Sequence, residues 1–319
     1  MQIFHKLDEI PANFGPAIVS VGNFDGVHLA HTHVLSEISR RGREQGKRSM
    51  AVCFEPHPSR ILRPDLGLKL ITPTPEKLRL IEATGVDATV ILPFTLDLSE
   101  LTPEEFAGRI LKNHLRASEV HEGANFRFGH QAAGDVNALK EFGRKMGFEV
   151  TVYREMRVHG ETVSSSRIRT LLKDGEVGRA RHLLGRAFSI QSTVEHGRGY
   201  GSKYTVPTIN LGAYHELVPK DGVYVTRTSV GEECFDSVTN VGNRPTFGAD
   251  SFAIESHLMN FQPIEIGQET RLRIHFFKRL REEIKFPSLE ALREQIRRDV
   301  KKAQRYLSLL DTKSGATIL

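Results

Sequence analysis

The chain has 319 residues, 39% hydrophobic and 26% charged, and 44 Lys and Arg against 39 Asp and Glu leave a formal net charge of +5. That balance excludes wholesale disorder and admits anionic ligands such as nucleotides, and no run approaches the ~18 uninterrupted apolar residues of a membrane helix, so neither a nucleic-acid nor a membrane partner is expected. The two cysteines, Cys53 and Cys234, form no spacing motif, and the N-terminus lacks a secretory pattern, so no disulfide framework and a reducing, cytoplasmic home are expected.

In chain order, Ala17 to Gly22 reads as a buried strand, followed by a helical segment carrying Val34, Leu35 and Ile38. Ser49 to Phe54 is a second strand, Pro75 to Ala83 a helix, and Val86 to Leu92 a third strand. Thr102-Pro-Glu-Glu105 is a capping box with proline at the first helical position. Val120 to Glu122, Val136 to Met146 and Phe148 to Tyr153 continue the alternation, which predicts a parallel sheet with helices on both faces and ligands at the carboxyl ends of its strands. Leu171 to Leu184 reads as one or two short helices around Asp174-Gly175.

From about Phe188 the pattern changes. Phe188 to Val194, Gly222 to Thr228, Cys234 to Val241, Phe252 to Asn260 and Thr270 to Phe277 are strands without helix-length gaps, so a small antiparallel barrel or sandwich is expected. Ser288 is the N-cap of a last helix whose inner face carries Leu289, Leu292, Ile296, Val300, Ala303 and Leu307. The seven basic residues between Lys285 and Tyr306 read as its solvated face. The expected division is residues 1–185 and 186–319.

Directly after the first strand comes Gly22-Asn23-Phe24-Asp25-Gly26-Val27-His28-Leu29-Ala30-His31. A glycine-bounded turn opening a helix presents bare amides and a partial positive charge to phosphate. Histidines three apart lie on adjacent turns and can converge on one oxyanion, as phosphate transfer requires. Zinc ligation by His28, His31 and His33 finds no Cys or acidic partners at metal spacing nearby, and surface histidines are the plainer alternative. His57, in Phe54-Glu-Pro-His-Pro58, belongs to a segment that its two prolines make a rigid loop rather than helix. Asn125, Phe126 and Phe128, in Asn125 to Gly129, offer an amide and aromatics to a planar ring, although at least one phenylalanine is expected in the core. Ser164 and Ser165 open a helix and can cap it or donate to phosphate, with Arg169 one turn in as a clamp or as a solvent-facing residue.

In the second half, Gly197 to Gly201 is a glycine-rich loop whose amides can surround phosphate. Thr208 and Asn210 share a face if extended, and both are hard oxygen ligands suited to Mg²⁺ carried by ATP. Glu255 is a lone acid within a strand, placed to act as a base.

These segments together resemble the bacterial bifunctional riboflavin kinase/FAD synthetase family over nearly the whole chain. Gly22 to His31 is similar to its H-x-G-H nucleotidylyltransferase opening, Val163 to Arg169 to its I-S-S-T-x-I-R motif, and Asn125 to Gly129 with Gly134-Asp135 to its flavin-side loop. Pro207 to Asn210, Arg244 to Gly248, and Glu255 before His257-Leu258 resemble the kinase module's P-T-A-N, R-P-T-F-G and catalytic glutamate. The resemblance implies an α/β Rossmann-like nucleotidylyltransferase domain, then an antiparallel β-barrel kinase domain with a C-terminal helix. It implies riboflavin, FMN and ATP as small-molecule substrates, with FMN and FAD as products. His28, His31 and Arg169 would act in adenylyl transfer and Glu255 as kinase base. Gly22, Asn23, Phe24, Asp25, His57, Ser164, Ser165 and Gly201 would meet ATP or its phosphates; Asn125, Phe126 and Phe128 would meet flavin; and Thr208 and Asn210 would meet the magnesium of ATP. The chain departs from the family pattern at Ala30, Ser166, Ser202, Thr205, Val206, Ile209 and Asn260, so a weakened or idle barrel, or an adenylyltransferase for another phosphorylated small molecule, are the alternatives.

Overall fold

The computed structural model describes residues 1–195, 208–243, 252–261 and 270–314. It divides into two compact units, Met1–Ser165 and Ser166–Leu319.

In the first unit six strands form one parallel sheet: β1 (Gln2–Phe4), β2 (Ala17–Val21), β3 (Arg48–Glu55), β4 (Ala88–Pro93), β5 (Ala117–Gly123) and β6 (Glu149–Tyr153), in spatial order β1-β4-β3-β2-β5-β6. Every residue of β2 is buried, as expected for a strand covered on both faces. The crossovers carry α1 (Leu29–Gln45), α2 (Pro58–Leu62), α3 (Thr74–Glu82), α4 (Leu96–Glu100), α5 (Pro103–Glu105) and α6 (Val136–Met146). The capping box forms as read: the Thr102 hydroxyl accepts the Glu105 N–H, and the Glu105 carboxylate accepts the Thr102 N–H. Past it the chain widens into a π-helical stretch, Phe106–His114. A short hairpin follows β6, with β7 (Arg157–Val158) paired to β8 (Glu161–Thr162). The short edge strand β1 has no sequence signal beyond three residues and escapes the sequence reading.

The second unit takes α7 from Ser166 on (the helix spans Ser165–Lys173) and α8 (Val177–Leu184), and closes β9 (Phe188–Glu195), β10 (Thr208–Leu211), β11 (Gly222–Val230), β12 (Glu233–Asn243), β13 (Phe252–Leu258) and β14 (Arg271–Arg281) into an antiparallel barrel. The sequence reading divides the chain at 185/186. By packing, the division falls twenty residues earlier, because α8 lies against β9 and β14.

The barrel interior mixes apolar side chains with hydroxyls. Thr226, Thr228, Ser237, Thr239 and Ser256 are fully buried and bonded to one another at 2.6–3.1 Å, which satisfies them without water. The closing helix α9 (Leu289–Ser314) starts at Ser288, whose hydroxyl accepts the Ala291 N–H. Ala303 and Leu307 bury against Val223, Val225 and Phe277. Leu289, expected on that face, is 66% exposed: it stands in the first turn, ahead of the barrel contact. The basic run is solvated at Arg297, Arg298, Lys301, Lys302 and Arg305, whereas Asp299 is buried and held by Arg281 at 2.8 Å and by Gln295 at 2.9 Å.

Candidate functional site

The first site lies at the carboxyl end of β2. The backbone there is bent sharply, with positive φ at Phe24 (46°), Gly26 (86°) and Val27 (35°). Two non-glycine residues in that region need outside support, and Asp25 supplies it. Asp25 is 1% exposed; its carboxylate accepts the Ile71 N–H at 3.0 Å and the Thr72 N–H at 3.1 Å, and its carbonyl accepts the Ser165 hydroxyl at 2.7 Å. Phe24 is 3% exposed and packs beneath the turn, its ring edge-on to His31 at 5.2 Å. Phe24, Asp25 and Ser165 therefore brace the loop that the sequence expects to meet ATP.

His28 is the N-cap of α1, and its Nδ1 accepts the His31 N–H at 3.4 Å. Accepting at Nδ1 puts the proton of a neutral ring on Nε2, facing away from the helix backbone. The two imidazoles stack with centroids 3.6 Å apart and planes at 16°. Asn23 adds a carbonyl oxygen that is buried without a hydrogen-bond partner among the described residues. Ala30 adopts ordinary helical backbone, so the missing glycine strains nothing there.

His57 is the N-cap of α2, 9% exposed, its Nδ1 accepting the Ser59 N–H at 3.1 Å. The expectation of loop is corrected at this point: Pro58 occupies the first helical position, where proline's missing donor is harmless, and a helix follows. In the loop after β5, Phe128 is 7% exposed and belongs to the core, stacked on the half-buried Phe126 at 5.4 Å; Asn125 is exposed beside them. Phe128 and Gly134 exchange backbone bonds of 3.1 and 2.9 Å that close this loop. Ser164 precedes α7, and Arg169 lies one turn into it, half-buried.

The second site lies on the barrel's outer face. Ile209 and Leu211 point inward, as do Ile254, Ser256 and Leu258, which leaves Thr208, Asn210, Glu255 and His257 on the other side of their strands. The register pairs Asn210 with Glu255 and Thr208 with His257. Directly opposed residues of antiparallel strands hold their Cβ atoms about 4.5–5.5 Å apart. Glu255 is also opposite Asn240 on β12, so an Asn–Glu–Asn row crosses three strands. Asn240 donates to Glu283 at 2.7 Å. The sequence gives no role to Asn240 or Glu283, and His257 stands there only as a motif neighbour of Glu255; the cue was its place two beyond Glu255 on the same face. Burial pushes the His257 imidazole below its usual range. Asn260 takes positive φ (52°), a conformation Asn and Asp tolerate best. Gly201, Ser202, Thr205 and Val206, and the Arg244 to Gly248 segment, lie outside the described residues.

Thr208 and Asn210 offer neutral hard oxygens beside a carboxylate, a donor set that fits a magnesium ion brought in by a nucleotide. Among the described residues no cluster of three His, Cys, Asp or Glu side chains could hold a metal by itself. Among them, too, no helix is long and apolar enough to cross a membrane.

The FAD synthetase family description matches residues 10–167, and the riboflavin kinase description matches residues 184–307. The bifunctional riboflavin kinase/FMN adenylyltransferase of Escherichia coli (strain K12) is 31% identical over 96% of each chain. That of Pseudomonas fluorescens is 33% identical over 95% of this chain and 97% of its own. A solved structure from Streptococcus pneumoniae, described as a macrolide-efflux protein, is 25% identical with a TM-score of 0.84, covering 95% of this chain and 98% of that one.

Proposed function

The chain belongs to the bifunctional riboflavin kinase/FMN adenylyltransferase family, and from that premise we propose how its residues divide two reactions. The protein phosphorylates riboflavin with ATP to give FMN, and adenylylates FMN with ATP to give FAD and pyrophosphate. In the kinase step the ribityl hydroxyl attacks the γ-phosphorus; the new O–P bond forms as the bond to the β-phosphate oxygen breaks, and ADP leaves. Glu255 takes the hydroxyl proton, and Thr208 and Asn210 hold the magnesium side of ATP. Magnesium, when bound, neutralises phosphate charge.

In the adenylyl step an FMN phosphate oxygen attacks the α-phosphorus, and the α–β bridge breaks to release pyrophosphate. His28 and His31 stabilise the developing charge, the amides at the head of α1 face the phosphates, and Ser164 and Arg169 hold the triphosphate. His57 lies on the ATP side, and Asn125 with the edge of Phe126 seats the flavin. Neither step calls for a protein nucleophile.

The observation that carries this reading is the stacked imidazole pair, 3.6 Å apart, at the strand-to-helix turn. Incubation with riboflavin, ATP and Mg²⁺ followed by chromatography of the flavins tests it. FMN and FAD are expected; formation of neither refutes it, and adenylylation of a different phosphorylated acceptor in place of FMN replaces it.

A further inference from the structure

Between β2 and β5 the sheet changes direction: β2 leads through α1 to β3 on one side, while β5 and β6 lie on the other. Such a switch point opens the crevice in which parallel sheets bind ligands. The two strands are in register only at Ala17, Ile18 and Val19, opposite Ala117, Glu119 and Val120. Beyond that they part, whereas β2 stays with β3 to Val21 and β5 stays with β6 to Gly123. The Val21 N–H is thereby left without a backbone acceptor. The Glu122 side chain supplies one: its Oε1 accepts that N–H at 2.6 Å.

Glu122 is 4% exposed. Alternation along β5 puts it on the face of Val120, which packs with Val19, Val21 and Phe128. Glu119 and His121 take the opposite face, where Glu119 pairs with Arg41 at 2.7 Å and with His121 at 3.2 Å, and His121 meets the Tyr153 hydroxyl at 2.8 Å. No charged group acts on the Glu122 carboxyl among the described residues: burial and the Val21 N–H are what move it. The second carboxyl oxygen has no hydrogen-bond partner among the described residues.

We propose that the Glu122 carboxyl is a positioning group for adenylyl transfer, holding the Val21–Gly22–Asn23 turn through the Val21 N–H where the β2–β5 ladder has opened. This rests on the adenylyl-transfer reading of the first site. Burial with no cation nearby keeps the acid protonated well above the usual carboxylate range. A charge there would stand in the crevice that receives two phosphorylated substrates. The turn it holds carries Asn23 and leads into His28, so a shift at Val21 passes to the groups that meet the nucleotide.

The test is Glu122→Gln and Glu122→Val in the full chain, with FAD and FMN formation measured across pH. The Gln amide oxygen still accepts the Val21 N–H and cannot ionise. It keeps most FAD formation at neutral pH and loses the alkaline decline of the wild type. Val keeps the packing but orphans the N–H, and lowers kcat for FAD formation roughly tenfold or more. FMN formation, made on the barrel, is the internal control for folding and stays at the wild-type value in both. Isotope-edited infrared difference spectra of wild type against Glu122→Gln show a protonated carboxyl band at neutral pH. A carboxylate band there, an alkaline decline that persists in Gln, or a Val variant equal to wild type overturns the proposal. Wild-type chain that forms no FAD overturns the functional reading, and this proposal with it.

Discussion

Replacing Asp25 by Ala separates a loop-building carboxylate from a nucleotide-binding one. The carboxylate is 1% exposed and serves two backbone amides, Ile71 and Thr72, themselves on residues 1% and 4% exposed. Removing it leaves both donors buried without acceptors. At about 1–3 kcal/mol for each orphaned group, the loss is ~2–6 kcal/mol, a large share of the ~5–15 kcal/mol that holds a domain together. Asp25→Asn keeps the Oδ1 to which both amides donate and gives up only the charge-assisted part, so its loss is less than half that of Ala. Urea denaturation of the full chain, followed by circular dichroism alongside product formation, measures this. The expected result is an earlier transition, FAD formation lost in proportion to unfolding, and FMN formation kept. An Asp25→Ala chain with an unchanged midpoint, yet inactive in FAD formation, would place the carboxylate on the nucleotide and refute the argument.

His31→Ala abolishes FAD formation and spares FMN formation, while Glu255→Ala does the reverse; chromatography that finds both products reduced equally by either change rejects the division of labour. Cys53 is fully buried, and burial pushes its thiol up to about 11, whereas Cys234 is exposed. Alkylation of the folded chain near pH 8, read by mass spectrometry, therefore modifies Cys234 and leaves Cys53 intact; equal rates at the two would contradict the burial. Because Glu122 is held protonated above its unfolded value, wild type and Glu122→Gln share the same pH trend of stability below about pH 4.3. As pH rises from there, the wild type loses stability relative to Gln until it passes the folded-state value. Denaturation midpoints that keep a constant separation between pH 4 and pH 9 contradict this.

The two sites differ in how legible they are in sequence, and for a physical reason. The first is local: strand, turn, helix start and both imidazoles fall within Ala17 to His31, so spacing alone brings the rings together. The barrel site is made by register. Asn210 and Glu255 are 45 positions apart and become neighbours only because β10 pairs with β13. Motif resemblance named them, but alternation could not show that they touch. The second task of Asp25 is hidden for a related cause: a carboxylate in a glycine-rich turn looks like a ligand group, and its partners at 71 and 72 carry no side-chain signal, being backbone amides. Glu122 was hidden inside a run taken simply as strand, because nothing in Val120-His121-Glu122 tells which neighbour stops pairing first.

Taken together, the hydrogen bonds of the first unit show that most of its signature is spent on itself. Asp25 binds the segment ahead of α3, Ser165 binds the Asp25 carbonyl, and Nδ1 of both His28 and His57 caps a helix. What these bonds leave over is sparse: the buried Asn23 side-chain oxygen, which has no hydrogen-bond partner among the described residues, and the amides at the head of α1. Charge stabilisation needs little more than that, provided the groups are fixed before the substrate arrives, because a donor already aimed loses no reorganisation energy at the moment of reaction. A motif of ten residues is then long mainly because a turn with two strained non-glycine residues must be held rigid from several directions, and only a few of its side chains reach the chemistry.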